Sequence, residues 1–182
     1  EPYALQLIDI RQGDQKSPEY LAVNPAGKVP ALRDGDCVVS ESAAICAYLA
    51  DRYPAARLAP ALDAPERAPY LTWLFYAAGN VEPAVMAYLN KWEVNAFQAS
   101  WGAYDTVVDN LAGAVRRGPY LLGEQFSAAD VMLGSMVHFC VANKLFPARP
   151  EFTAYVARLE ARPAFQRTFK IEAEYAAKAK SP

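Results

Sequence analysis

Two short stretches combine residue types suited to holding an anionic peptide. Asn24-Pro25-Ala26-Gly27-Lys28-Val29-Pro30-Ala31-Leu32 sets turn residues and a cation just ahead of an apolar run. Asn-Pro and Gly mark a tight loop, and proline is tolerated at a strand's first residue, where the missing N–H need not pair. A cis Val29–Pro30 bond, the state of about 5–6% of X-Pro bonds, turns the Val29 N–H and C=O outward. An extended peptide can pair with them there in antiparallel fashion. The same residues also fit an ordinary loop before a strand. Further on, Glu41-Ser42 opens a helix. A helix N-terminus has unpaired N–H groups and a positive dipole end, so a carboxylate is welcome there, and the Ser42 hydroxyl adds a donor. The simpler reading is that Ser40 or Ser42 only caps the helix. Together the two stretches suit a short anionic peptide with an internal amide, and Lys28 suits its charge, although a solvated loop lysine reads equally well.

The remaining chemistry-bearing residues favour structural roles. Ser127-x-x-Asp130 is a capping box with Asp in place of the usual Glu, ahead of the apolar Val131, Met132, Leu133 and Met136. His138, the single histidine, has only Cys140 near it in the sequence and no further Cys, His or carboxylate there to complete a zinc site, so no metal is expected. Cys37, Cys46 and Cys140 contain no Cys-x-x-Cys pair. Cys37 and Cys46 fall on a strand and in a helix interior, where free cysteine acts as a small core hydrophobe. Tyr70, Trp73, Leu74, Ala77 and Val81 follow helical spacing and read mostly as core, with Phe75 and Tyr76 apolar on the other side.

The elements that must position these residues change character near residue 54. Before it the pattern is β-α-β-β-α: a strand over Tyr3–Ile10, a helical turn opened by Ser17-Pro18, strands over Val29–Arg33 and Cys37–Val39 about an Asp34-Gly35 turn, and a helix ending before Pro54. After a linker with Pro54, Pro60 and Pro65 the pattern is helical throughout. Helices are expected over Ala64–Lys91, kinked at Pro83, and over Val94–Arg117, closing at Gly118-Pro119. Three more follow over Ser127–Lys144, Glu151–Arg162 and Ala164–Lys178. The expected division is a small α/β domain, 1–56, and an all-helical domain, 63–182. So small a lobe buries too little surface to stand comfortably alone and should pack on the helices, and pockets favour such junctions.

Composition excludes several classes. The 182 residues are 53% hydrophobic and 21% charged, enough apolar surface for a core. A net charge of −2 leaves no basic surplus for nucleic acid. No apolar run reaches the roughly 18 residues of a membrane span; Val131–Val141 is broken by Gly134, Ser135 and His138. Glu1-Pro2-Tyr3 is not the start of a signal peptide, and the odd cysteine count suggests no disulfide framework, so a cytoplasmic setting is expected.

The paired motifs resemble the glutathione transferase family. Asn24-Pro25-x-Gly27-Lys28-Val29-Pro30-x-Leu32, then Glu41-Ser42-x-Ala44-Ile45-x-x-Tyr48-Leu49, look like its thioredoxin-like lobe, and Phe126-Ser127-x-Ala129-Asp130 like the capping motif of its helical lobe. The resemblance runs over essentially the whole chain. It implies a thioredoxin-like N-terminal lobe followed by an all-helical domain, with glutathione as co-substrate. It also implies that Val29 pairs its backbone with the cysteinyl part of glutathione beside a cis Pro30. Glu41 and Ser42 would hold the γ-glutamyl end, and Lys28 would lie near the glycine carboxylate. The implied reaction is attack of the glutathione thiolate on an apolar electrophile, a detoxifying conjugation, with Trp73, Met86 and Tyr88 as candidates for the electrophile pocket. A homodimer is implied too, consistent with the apolar second side of the Ala64–Lys91 helix. In the family the activating Ser, Cys or Tyr ends a first strand that would precede Glu1, so the chain reads as truncated and no catalytic residue is named within it. The rival readings are a non-catalytic binding module of the same fold and a glutathione-dependent isomerase, dehalogenase or disulfide reductase.

Overall fold

The structure is a computed structural model that describes residues 2–179. Its small lobe is built on short-range signals. Ser17 caps α1 (Pro18–Leu21), its hydroxyl accepting the Tyr20 N–H at 3.2 Å. β1 (Ala31–Asp34) and β2 (Cys37–Ser40) form an antiparallel hairpin with Ala31 opposite Ser40 and Asp34 opposite Cys37. Its turn uses Gly35 at φ 59°, a left-handed conformation that costs glycine no Cβ clash. α2 (Ser42–Arg52) then runs back along the hairpin. The Tyr48 hydroxyl donates to Asp34 Oδ2 at 2.9 Å and Arg52 pairs with the same carboxylate at 3.5 Å, tying the last turns of α2 to the end of β1. Both charges on that tie are solvent-accessible, so it orients more than it stabilises.

The helical lobe comprises α3 (Arg67–Tyr76), α4 (Glu82–Leu89), α5 (Tyr104–Arg116), α6 (Ala128–Ala142), α7 (Pro150–Glu160) and α8 (Pro163–Ala179). α6 is apolar nearly all round and runs through the middle of the lobe, packed on α2, α3 and α7. Its start is fixed by Asp130, whose side chain is buried. One carboxylate oxygen accepts the Ser127 N–H (2.9 Å) and hydroxyl (3.1 Å), and the other accepts the Leu121 N–H (2.9 Å) and Tyr155 hydroxyl (2.9 Å). Burial nevertheless pushes the Asp130 carboxyl above the usual carboxylate range. The lobes are stitched along the linker: Ala128 N–H donates to Leu58 C=O at 2.7 Å and Gln125 Nε2 to Arg57 C=O at 3.0 Å. The core gathers Tyr70, Leu74, Leu111, Leu133, Phe152 and Tyr155, with Ala43 and Ala50 of α2 reaching it from the small lobe.

Four sequence expectations are corrected. Tyr3–Ile10 is not a strand: residues 2–9 have no regular structure, and Tyr3, Leu5 and Leu7 lie exposed. Alternation suits a strand but supplies no neighbour, and among the described residues none pairs with this segment. β1 begins at Ala31 because Val29 and Pro30 stand outside the ladder. The helix over Ala64–Lys91 is two helices joined by a π turn, Ala77–Val81. Pro83 has no N–H to offer Gly79, one turn back, and its ring crowds that carbonyl; the wider turn lets Pro83 sit in the first turn of α4 instead of kinking a helix interior. The helix over Val94–Arg117 starts only at Tyr104. Ahead of it Asn95 folds the chain on itself, its Oδ1 accepting the Phe97 N–H at 3.0 Å. Phe97 is 97% exposed, so no apolar burial rewards a helix there.

Candidate functional site

The loop before β1 is held by two buried side chains. Asn24 Oδ1 accepts the Ala26 N–H at 3.1 Å while its Nδ2 donates to Lys28 C=O at 2.7 Å; the Tyr20 hydroxyl donates to the same carbonyl at 2.7 Å. Gly27 takes φ 59° and is packed so closely that a Cβ would lie 3.0 Å from Gln15 C=O, so both conformation and space demand glycine. This scaffold fixes the chain up to Lys28 and delivers a cis Val29–Pro30 bond. Val29 is 44% exposed, and its N–H and C=O have no hydrogen-bond partner among the described residues. Lys28 and Pro30 are exposed beside it.

The second half of the site adjoins the first through the hairpin register. Because Ala31 stands opposite Ser40, the chain entering β1 through Val29 and Pro30 and the chain leaving β2 through Glu41 and Ser42 lie at the same end of the hairpin. Glu41 is the N-cap residue of α2 at φ 68°, ψ 122°, and its side chain makes no cap hydrogen bond. A non-glycine residue in this region costs on the order of 1–3 kcal/mol and persists only where the surroundings over-determine it, typically at ligand sites. The Ser42 hydroxyl is half-buried and makes no hydrogen bond among the described residues. Neither serine caps α2, which leaves the first N–H groups of this helix, and the positive end of its dipole, directed at whatever lies beyond Glu41. A backbone edge and a helix N-terminus side by side can take an extended peptide along one and a carboxylate at the other.

The electrophile candidates are dispersed along α3 and α4. Trp73 is half-buried and meets Tyr76 edge-on at 5.2 Å; Met86 and Tyr88 are exposed, and Tyr88 stacks on Tyr104 at 4.0 Å. Two open clefts lie elsewhere. One of about 630 Å³ lies between the end of α5 and the start of α7, and one of about 280 Å³ along the linker at Pro54–Pro60; neither is lined by any residue of the site.

The other chemistry-bearing groups have settled positions. His138 is half-buried, its Nε2 3.2 Å from Glu160 Oε1 and its ring edge-on to Phe165 and Phe169. Cys37 is exposed, against the expectation of a core position, because β2 presents it at the hairpin end, where nothing covers it. Burial raises the Cys46 thiol and pushes that of Cys140 up to about 11. No group of three or more His, Cys, Asp or Glu is placed to hold a metal ion among the described residues, and no helix there is long and apolar enough to cross a membrane. The sequence reading missed Tyr20 and Asn24 as supports of the loop, although Asn-Pro was the signal for the turn. It also missed the strained backbone of Glu41, which no residue type announces.

The architecture is a two-stranded lobe with a cis-proline segment and an uncapped helix start at one end of its hairpin, joined to a bundle of helices. Residues 1–52 match the family model of the glutathione S-transferase N-terminal domain and residues 94–167 that of the C-terminal domain. The chain is 32% identical over 178 residues to glutathione S-transferase 3 of Zea mays, covering 88% of this chain and 79% of the relative. It superposes on a glutathione transferase from Methylococcus capsulatus with a TM-score of 0.73 at 31% identity, covering 87% of this chain and 80% of the other. A glutathione transferase homologue from Sulfitobacter, solved with bound glutathione, gives a TM-score of 0.71 at 27% identity, covering 91% and 84%. The chain belongs to the glutathione S-transferase family, and its architecture is that family's fold: a small N-terminal lobe with a two-stranded antiparallel sheet, then an all-helical domain.

Proposed function

We propose that Lys28, Val29, Pro30, Glu41 and Ser42 hold glutathione, whose thiolate is then transferred to an apolar electrophile. As a member of this family the chain is a glutathione transferase. What supports the site is one observation: the Val29 N–H and C=O stand unpaired and exposed at the same end of the hairpin from which the uncapped α2 starts. In this reading Val29 donates to and accepts from the cysteinyl amide of glutathione as an added strand would. The Ser42 hydroxyl and the first N–H groups of α2 donate to the γ-glutamyl carboxylate. Glu41 faces the γ-glutamyl ammonium, and Lys28 balances the glycine carboxylate. The thiol of glutathione ionises near 8.5 when free, and catalysis requires that value to fall so that thiolate predominates. None of the five residues is assigned that step; they bind and orient.

The electrophile surface is assigned to Trp73, Met86 and Tyr88 because they present aromatic and thioether surface on α3 and α4. A homodimer fits Leu71 and Phe75, an exposed apolar pair one turn apart on α3, and the cytoplasm is the compartment proposed. The domain division at 1–56 and 63–182 belongs to the same proposal. It is supported by the change from hairpin to helices across the linker, although Glu1 and residues 180–182 lie outside the described residues.

Titration calorimetry tests the site. Ser42→Ala removes one charge-assisted hydrogen bond, and glutathione should bind about tenfold or more weakly. Parental affinity in that variant refutes the assignment.

A further inference from the structure

We propose that Asp51 and Arg67 form a positioning pair for the glutathione site: their fork fixes how α2 stands on the helical lobe, and so where Glu41 and Ser42 meet the ligand. The inference rests on the reading above that the start of α2 holds glutathione.

The fork is bidentate, with Arg67 Nη1 and Nη2 donating to Asp51 Oδ1 and Oδ2, each at 2.8 Å. Nη1 also donates to Pro60 C=O at 3.1 Å, and the guanidinium lies 5.2 Å from the centre of the Tyr70 ring. The Arg67 side chain is only 14% exposed. One guanidinium thus grips the end of α2, the linker and α3 in a fixed planar geometry that lysine cannot reproduce.

Helix electrostatics do not account for these two charges. Asp51 lies in the last turn of α2, at its negative end, and Arg67 is the first residue of α3, at its positive end. Each is unfavourable to its own helix. What the placement gains is the tie between helices. That tie matters because the seat of α2 on the helical lobe is smooth. Ala43, Cys46, Ala47 and Ala50 form its contact stripe, and all four are small. Small side chains allow close approach but interdigitate little, so shape alone resists tilting weakly. Tyr48 and Arg52 bind Asp34, which belongs to the same lobe and cannot anchor α2 to the other.

Leverage sets the size of the effect. At 1.5 Å per residue, Ser42 lies about 13 Å along the axis from Asp51, so a tilt of about 5° about the fork displaces Ser42 by about 1 Å. A displacement of that size stretches a hydrogen bond of about 2.9 Å beyond useful length.

The test compares Arg67→Lys, which keeps the charge and loses the fork, with Asp51→Asn, a nearly isosteric change at the more exposed partner. Steady-state kinetics with an activated aryl chloride should show KM for glutathione raised about tenfold in both. KM for the aryl chloride, and kcat at saturating glutathione, should stay within about twofold, a split that general loosening of the fold would not give. The double exchange Asp51→Arg with Arg67→Asp should bring KM for glutathione back toward the parent, since it rebuilds the pair and sets each charge at the favourable end of its helix. Parental KM for glutathione in both single variants, equal changes in both KM values, or a double exchange no better than the singles overturns the proposal. Ser42→Ala is measured in parallel. If it too is parental, the assignment of the site falls and the fork's role with it; if Ser42→Ala is impaired while the fork variants are parental, the fork alone is refuted.

Discussion

Replacing Asp130 by alanine removes the acceptor on which four donors converge at the start of α6. The Ser127 hydroxyl can turn to another partner, but the Leu121 N–H, Ser127 N–H and Tyr155 hydroxyl are left in a buried site. An unsatisfied buried donor costs about 1–3 kcal/mol, so three would cost about 3–9 kcal/mol. The lower part of that range is the better expectation, because the burial that pushes the Asp130 carboxyl upward is itself a penalty that alanine relieves. A loss of about 3–5 kcal/mol follows, which for a chain of this length lowers Tm by roughly 6–20 °C. Asp130→Asn separates the contributions. Its carbonyl oxygen keeps the Leu121 and Tyr155 bonds, while its amide nitrogen confronts the Ser127 N–H, donor against donor, so a loss of about 1–3 kcal/mol is expected. The two variants also differ from the parent in pH dependence. A carboxyl raised above its unfolded value of 3.8 contributes stability that is present below that pH and lost as pH rises through the higher folded value. The advantage of the parent over Asp130→Asn should therefore shrink as pH rises from about 4 and then level off. Urea unfolding followed by far-ultraviolet circular dichroism at several pH values measures both. An alanine variant within about 0.5 kcal/mol of the parent, or a parent–Asn difference that grows with pH, refutes the account.

Two further outcomes follow from packing and burial. Gly134→Ala places a Cβ 2.5 Å from Leu159 Cδ1 and 3.2 Å from the Tyr155 hydroxyl, both in buried side chains. Overpacking of about 1–3 kcal/mol outweighs the roughly 1 kcal/mol of helix propensity gained. Urea unfolding should show a net loss of about 1 kcal/mol, and a variant more stable than the parent would contradict the fold description. Alkylation by iodoacetamide at pH 8, followed by intact mass, should add one group rapidly, at exposed Cys37. Cys140 should lag by orders of magnitude: it is buried, and with its thiol pushed up to about 11, only about one molecule in a thousand carries thiolate at that pH. Equal rates at Cys37 and Cys140 would show that the α6 interior is open.

The parts of the fold that were readable in the sequence are those specified within a few residues. Asp34-Gly35 marked the hairpin, Ser127-x-x-Asp130 marked the start of α6, and Asn24 to Pro30 marked the loop, since each signal and its structure share the same short span. Tyr3–Ile10 failed because a strand is made by its neighbour, and alternation does not name one. Val94–Arg117 failed because the turn at Asn95 competes locally with helix, and exposed Phe97 offers no burial to decide otherwise. The site divides the same way. The loop that presents Val29 and the helix start at Glu41-Ser42 were legible from their motifs, whereas Glu41's backbone conformation and the Asp51–Arg67 fork, which joins α2 to α3, are announced by no short-range signal.

The bonds that stitch the linker to the helical lobe bear on the order of events in folding. The Asp130 cluster joins positions 9 and 25 residues apart, while the Gln125–Arg57 bond joins positions 68 apart. Loop-closure entropy grows with separation, and nearby contacts close first. The Asp130 cluster at the start of α6 therefore closes on shorter loops than the Gln125–Arg57 bond that joins the linker to it. On that ordering, what positions Glu41 and Ser42 relative to the helical lobe is a set of long-range contacts rather than the local signals that shape the hairpin itself.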